Sequence, residues 1–416
     1  MSSEKLKIIV VGGGAAGFFG AITCKEAYPE MEVILMEKAR QVLAKVRVSG
    51  GGRCNVTHSC FDVATLVKHY PRGEKALKGP FTRFQPENTI EWFLKRGVSL
   101  KKEADGRMFP VTDSSETIIE CLMTSAKKAG VHLKTECGIQ NIAKHQENKD
   151  SKGFTLTLGS GEEVMCDKLL MATGSNSKIY GLLENLGHKI VPPVPSLFTF
   201  NVPDSPLSEL SGIGIPKVHL KLADTSLEQT GALLITHFGF SGPAVLKLSA
   251  WGARALAELD YKAVLNINWL PDLSYEELKQ CLIDYKQKNP LKLVTTESPI
   301  NLPKNLWKAL SSSTLTEEKA ASKWSHISLK QINQLTEKLK KDSYQIQGKT
   351  TFKEEFVTCG GVSLDEVDFK TMESKVCKGL YFAGELLDID GITGGFNFQN
   401  AWTTSWIAGQ AIGLVG

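Results

Sequence analysis

The sequence predicts an α/β fold in which a largely parallel sheet is interrupted by a long insert, β-rich first and helical afterwards. Three observations carry this expectation. Lys7 to Val11 reads as a buried strand, apolar and β-branched from Ile8 onward, that ends in Gly12-Gly13-Gly14-Ala15-Ala16-Gly17. A helical stretch from Phe18 to Ala27 follows, then a second apolar strand, Val33 to Met36, closing on Glu37. Far along the chain, Gly379-Leu380-Tyr381-Phe382-Ala383-Gly384-Glu385 reads as a strand that stops on a Gly-acid pair, and a glycine-rich loop and a helix from about Phe398 to Ile412 come after it.

Each glycine in the first turn has a separate task. Gly12 allows the tight turn out of the strand, and Gly14 has no Cβ to block a pyrophosphate. Gly17 lets the helix lie close to the sheet, so the free N–H groups of its first turn, around Ala15 and Ala16, point at phosphate oxygens. Glu37 sits at the end of the second strand, where a carboxylate accepts from the ribose hydroxyls of an adenosine, with Lys38 beside it. Strand, fingerprint, helix, strand and acid are all in register. The two ends of the chain therefore read as halves of one flavin adenine dinucleotide (FAD) site.

Size and composition bound the rest. At 416 residues the chain is too long for one ordinary core, and two or three domains are expected. It is 42% hydrophobic and 23% charged, as soluble globular proteins are. No apolar run reaches the roughly eighteen residues of a transmembrane helix, and the first ten residues lack the pattern of a signal peptide. A cytoplasmic address without membrane association is expected. A net charge of +4 neither demands nor excludes a nucleic-acid partner. The nine cysteines are scattered without a C-x-x-C pair, which argues against a disulfide framework, a metal site or a dithiol redox pair.

Residues 1–190 alternate strand and helix, with a hairpin signal at Gly159-Ser160-Gly161 between Phe154–Leu158 and Glu163–Met165. Pro192, Pro193 and Pro195 rule out a helix and suggest a crossing between domains. Residues 191–270 then read as a β-rich insert, with turns at Ser211–Gly214 and Gly239–Pro243. Residues 271–345 read as a helical insert, with Leu329, Ile332, Leu335 and Leu339 on one helical face. From Thr351 the pattern is α/β again, so residues 346–416 are expected to complete the first domain.

Further segments point to the same cofactor. Ala172-Thr173-Gly174 closes a strand with backbone able to approach a dinucleotide, like the second FAD-contacting turn of glutathione-reductase-type folds. Ser49-Gly50-Gly51-Gly52-Arg53-Cys54-Asn55 spends three glycines in a row, which a stable segment keeps where side chains would clash. Arg53 is a candidate for phosphate or flavin carbonyls, and Asn55 a candidate donor to the flavin ring. Gly394-Gly395-Phe396-Asn397 precedes the last helix, whose N-terminus would stabilise the negative charge of a reduced flavin. Glu385, Asp388 and Asp390 lie near the same loop, where a carboxylate either binds the ribityl chain or simply caps and solvates. Cys54 reads either as a proton donor or as a small packing residue. His237 reads either as a cleft residue or as a turn histidine.

The chain resembles a bacterial flavoprotein family described under aminoacetone-oxidase-like and bile-acid-dehydroxylating names. The resemblance rests on Val10–Gly17, Ser49–Thr57, Asp105–Pro110, Thr236–Ala244, Val357–Val362, Thr371–Lys375 and Gly379–Asn397, which together run the length of the chain. It implies a glutathione-reductase-type Rossmann FAD domain interrupted by an insert. It also implies oxidoreductase activity, some members being linked to dihydrouridine formation in large-subunit ribosomal RNA. Leu43-Ala44-Lys45 departs from the usual basic pair, leaving Lys45 as the phosphate or flavin contact and the second charge either lost or shifted to Arg47.

Function follows from these parts. The leading expectation is an FAD-dependent oxidoreductase that reduces an activated C=C bond, with uridine in ribosomal RNA as substrate. A single dinucleotide fingerprint leaves NAD(P)H only a transient role as electron donor. The substrate is expected between the FAD domain and the insert, the usual place for a pocket. Lys338-Leu339-Lys340-Lys341 and Tyr285-Lys286-Gln287-Lys288 read as phosphate contacts or as solvated helix faces. The alternatives are an oxidoreductase of a small enone or amine, and a non-catalytic RNA-binding module with structural FAD.

Overall fold

The computed structural model describes residues 5–145, 153–203, 205–315, 321–350 and 357–414. It divides into two compact units, Met1–Pro195 with Lys353–Gly416, and Ser196–Phe352. In the first unit Ile8, Ile9 and Val10 are fully buried, as a strand covered on both faces by helices requires. Strand Lys7–Val11 pairs in parallel with Glu32–Met36 on one side and Lys168–Met171 on the other. Leu380–Phe382 joins beyond Lys168–Met171, and His132–Lys134 beyond Glu32–Met36. The C-terminal strand thus lies in the N-terminal sheet. Register places Val11 level with Met36 and Met171, and Met171 level with Phe382. Four strand ends from distant parts of the sequence therefore open onto one edge, where ligands of such sheets bind.

Two helices back this sheet. The first spans Ala15–Ala27 and the second Phe396–Ile412, each beginning two or three residues before the sequence pattern indicated. They pack on one another through small residues. A Cβ on Gly409 would lie 2.8 Å from the Gly20 carbonyl oxygen and 3.0 Å from the Cys24 nitrogen. The C-terminal helix is further held by buried polar groups. The Gln399 side-chain oxygen accepts from the Thr57 hydroxyl at 2.6 Å and the Thr89 hydroxyl at 3.0 Å. The Trp402 indole donates to the Val56 carbonyl at 2.9 Å, and the Tyr28 hydroxyl to the Gln410 carbonyl at 2.6 Å.

The three prolines do not leave the first unit at once. Ile190–Pro195 pairs antiparallel with Thr358–Val362, its ladder shifting between Val191 and Val194, where Pro192 and Pro193 have no N–H to give. The second unit holds a seven-stranded sheet in the order Asp342–Gln347, Lys262–Asn268, Gly214–Leu222, Glu228–Thr236, Gly239–Ser241, Thr199–Asn201 and Lys349–Thr350. Residues 346–350 therefore belong to this sheet, later than the boundary read from the sequence, because Ile346 pairs with Ala263 and Lys349 with Phe200. The return read from Thr351 lies outside the described residues. Gly239-Phe240-Ser241, read as a turn, is a short strand whose Phe240 is fully buried. On helix Leu329–Lys340, Ile332, Leu335 and Leu339 face the core, whereas Leu329 is 62% exposed in the first turn.

The basic stretches also resolve differently from a phosphate-binding patch. The Lys338 ammonium pairs with the fully buried Asp342 at 2.6 Å. Lys340 donates to the Leu270 and Leu273 carbonyls, and Lys286 to the Ile327 carbonyl. These three charges are used inside their own unit, on a buried carboxylate and on backbone carbonyls; Lys288 and Lys341 are exposed.

The helix pair generates a prediction whose sign opposes local propensity. Alanine in a helix interior is normally favoured over glycine by about 1 kcal/mol. Gly409→Ala should nevertheless lower stability by roughly 1–3 kcal/mol, because its Cβ meets backbone that cannot move aside. Urea unfolding of the two proteins measures the difference.

Candidate functional site

The N-terminal turn is shaped first by the protein itself. Gly12 has φ +114°, and a Cβ there would lie 2.4 Å from the Ala172 carbonyl oxygen. A Cβ on Gly17 would lie 1.8 Å from the Gly12 carbonyl oxygen. Gly14 differs: a Cβ there meets no protein atom within 4 Å, and the helix it caps has no side-chain cap. Open space in front of uncapped amides is what a pyrophosphate needs. The Glu37 carboxylate is anchored by the Gly13 N–H at 2.6 Å and the Ala39 N–H at 2.9 Å.

Beside Glu37 lies a cavity of about 290 Å³, lined by Gly12, Glu37, Lys38, Gly138, Thr173 and Asn176 among others. Cys137, Gly138, Ile139, Asn176, Lys178 and Ile179 line it too and were missed from the sequence. Asn176 was readable, since its side chain caps helix Ser177–Asn185 directly after Ala172-Thr173-Gly174. The segment 137–139 carries no local signal.

The triple glycine follows a short helical turn from Ala44. Gly50, Gly51 and Gly52 have φ of +58°, +69° and +83°, and Cβ atoms on Gly51 and Gly52 would meet nothing within 4 Å. Backbone conformation rather than a crowded neighbour requires glycine at these two positions. Around them, the residues proposed as flavin contacts are engaged within the protein. The Arg53 guanidinium pairs with Glu103 at 2.6 Å and Asp113 at 3.6 Å and lies 4.0 Å over the Phe109 ring. Its charge is balanced by acids some distance along the chain, so it is not a free counter-ion for phosphate. The Asn55 amide, oriented to satisfy both neighbours, donates to the Thr57 carbonyl at 3.1 Å and accepts from the Gly395 N–H at 2.9 Å. It fastens the loop ahead of the last helix. The Ser49 hydroxyl donates to the Val46 carbonyl at 3.0 Å. Cys54 is fully buried, and burial pushes its thiol up to about 12. The packing alternative accounts for both facts. Arg47 pairs with Glu116 and does not replace the missing basic residue near Lys45.

The C-terminal half meets the N-terminal half directly. A Cβ on Gly384 (φ +70°) would lie 3.0 Å from Ala16 Cβ. Lys45 Nζ donates to Glu385 at 2.6 Å, and the other Glu385 oxygen accepts from the Thr358 N–H at 3.1 Å. A Cβ on Gly174 would lie 3.6 Å from the same carboxylate, so Lys45, Gly174 and Glu385 share one rim. Asp390 is fully buried and bound through both oxygens by Arg72, which removes it from the ribityl candidates. Gly394 has φ +134° and Gly395 φ +94°, and the helix that starts at Phe396 has no side-chain cap. Asn397 clasps Gly391 through two 2.8 Å hydrogen bonds. His237 is exposed in the two-residue turn between Thr236 and Gly239 of the second unit.

Two uncapped helix N-termini, the anchored carboxylate Glu37, its cavity and the open space at Gly14 fit an extended dinucleotide. The comparisons agree. Residues 6–411 match the HI0933-like protein Rossmann domain, and the chain belongs to that family. It is 30% identical to the ribosomal RNA dihydrouridine synthase of Escherichia coli (strain K12), over 98% of both chains. It is 27% identical to the 3-dehydro-bile acid delta(4,6)-reductase of Clostridium scindens, over 97% of this chain and 98% of the relative. Among solved structures, 3-ketosteroid delta1-dehydrogenase from Sterolibacterium denitrificans shares the fold, with a TM-score of 0.54 at 12% identity over 99% of both chains. The protein is an FAD-dependent oxidoreductase. No helix among the described residues is long and apolar enough to cross a membrane.

Two outcomes test this site. Gly14→Val should fold normally, since its side chain meets no protein atom, yet release its FAD; circular dichroism and flavin absorbance read the two separately. The second concerns alkaline stability. Cys24, Cys54 and Cys166 are each pushed by burial from 9.0 to about 12. A raised folded-state pKa gives stability that is complete below the unfolded value and is lost as pH rises towards the folded one. The urea midpoint should therefore fall steadily from about pH 9 upward, and less steeply in Cys54→Ala.

Proposed function

We propose that this flavoenzyme reduces an activated carbon–carbon double bond, with uridine in large-subunit ribosomal RNA as its substrate. The observation that carries this reading is the end-to-end similarity to the E. coli relative, which is named a ribosomal RNA dihydrouridine synthase. The chemistry suits the site. The C5=C6 bond of uridine is conjugated to a carbonyl, so it accepts hydride at one carbon and a proton at the other. Bound FAD, once reduced, would supply the two electrons. The protein's share is to hold charge and exclude alternatives. Amides of the first turn at Ala15 and Ala16 receive phosphate, and Glu37 receives ribose hydroxyls. The uncapped turn at Phe396 stabilises the negative charge that accompanies reduction.

The chain carries a single dinucleotide fingerprint, so a nicotinamide donor, NAD(P)H, is proposed to bind transiently. With ribosomal RNA as substrate the enzyme acts in the cytoplasm. The Clostridium relative favours a second reading, reduction of a steroid-like enone, which needs the same electron and proton delivery.

The test is a mass-spectrometric comparison of large-subunit ribosomal RNA nucleosides with and without the gene. Dihydrouridine should disappear on deletion and return with the wild-type gene but not with Gly14→Val. An unchanged nucleoside profile would remove ribosomal RNA as the substrate and leave the enone reading.

A further inference from the structure

Reduction of a C=C bond needs a proton as well as hydride, and the structure narrows its source. Cys54 has no exposed atom. Two histidines instead meet the first residue of the last helix. The His69 ring stacks on Phe396 at 4.3 Å with an interplanar angle of 11°, and the His58 ring at 4.8 Å and 23°. The two imidazoles lie 6.0 Å apart.

Their hydrogen bonds distinguish them. His69 Nδ1 is 3.0 Å from the Thr65 carbonyl oxygen. A carbonyl only accepts, so Nδ1 carries a hydrogen and Nε2 is the atom that gains or gives a proton. His58 Nε2 is 3.0 Å from the Asp105 carbonyl oxygen, which leaves Nδ1 as its titrating atom, and that atom is buried. The segment carrying His69 is riveted to the loop ahead of the last helix. The Ile392 N–H donates to the His69 carbonyl at 2.9 Å, and the Tyr70 hydroxyl to the Phe396 carbonyl at 2.7 Å. Arg72 holds Asp390 in the same stretch. An imidazole held in one tautomer and one orientation is placed to deliver a proton from a defined atom.

We propose that His69 is the proton donor of the reductive step, with His58 and Phe396 as the ring surface that orients it. This rests on the reading of the protein as a C=C reductase. As the π bond breaks, hydride from reduced FAD forms one C–H bond and the His69 Nε2 proton forms the other. His69 is left neutral and is reprotonated from solvent. The charged or titratable groups on the surrounding elements are His58, Cys60, Asp62, Lys68, Tyr70, Asp105, the Glu74, Lys75, Lys78 and Arg83 of helix Glu74–Arg83 packed on this segment, and the Arg72–Asp390 pair, whose opposite charges offset each other.

The test separates flavin reduction from substrate reduction. FAD-loaded wild type and His69→Asn are reduced anaerobically with dithionite. Each is then mixed with an unmodified transcript of large-subunit ribosomal RNA or with a Δ4-3-ketosteroid, and reoxidation by the acceptor is followed through flavin absorbance. His69→Asn should keep its FAD and its reduction by dithionite, while reoxidation slows about 100-fold or more, the scale of a lost general acid. The wild-type rate should fall as pH rises through the histidine range, and that limb should be absent from the variant. Nitrogen-15 NMR of the histidines supplies a readout free of turnover: the titrating signal lost in His69→Asn should come from a ring that is Nδ1–H when neutral.

Unchanged reoxidation with an intact pH limb in the variant would overturn the proposal, as would an Nε2–H neutral ring. If His69→Asn loses FAD, His69→Gln repeats the measurement, and loss in both would assign the ring to cofactor retention instead. A wild type that is reoxidised by the steroid alone contradicts the ribosomal RNA substrate but not His69, which is then judged on the steroid. A wild type reoxidised by neither contradicts the reductase reading, and with it the role given to His69.

Discussion

The close contact between the first and last helices is the constraint on which the site depends. At Gly409 the last helix approaches the first so closely that a Cβ would meet the Gly20 carbonyl and the Cys24 nitrogen. That approach brings the uncapped turn at Ala15 and the uncapped turn at Phe396 to one edge of the sheet. Gly384 against Ala16 repeats the device at the strand end. On the proposed reading neither half is a cofactor site alone: one would offer amides to phosphate, the other amides to a flavin that gains charge. Preorganised donors of this kind need no reorganisation when charge develops, and their value therefore depends on rigidity.

Rigidity is supplied by buried polar contacts around the C-terminal loop. Asn55, Gln399 and Tyr70 each tie backbone or side chains near Phe396 to segments far away in sequence, and Asn397 closes the loop locally on Gly391. The Arg72–Asp390 pair adds a buried ion pair with two hydrogen bonds. Such a pair contributes little net stability, but removing one partner is costly because a charge is left behind. Its value here is positional, since Asp390 opens the loop that ends at Asn397.

The sequence showed what is local and obscured what is not. Gly12 to Gly17 and Glu37 were legible because strand, turn, helix and acid follow one another with fixed spacing. The last helix was legible for the same reason. Arg53 and Asn55 were assigned to the flavin because chemistry alone cannot reveal partners such as Glu103, Asp113 or Gly395 elsewhere in the chain. Lys338, Lys340 and Lys286 have the composition of a phosphate-binding surface, yet their ammonium groups satisfy Asp342 and backbone carbonyls. His69 was overlooked for the opposite reason. It stands in an unremarked segment, and only folding brings it to Phe396.

Hydrogen–deuterium exchange of the FAD-loaded and FAD-stripped protein tests the central claim most directly. If one cofactor joins both helix N-termini, FAD should slow exchange together in the amides of Gly13–Phe18 and of Gly395–Gln399. Protection confined to the N-terminal turn, with the amides around Phe396 unchanged, would contradict the account.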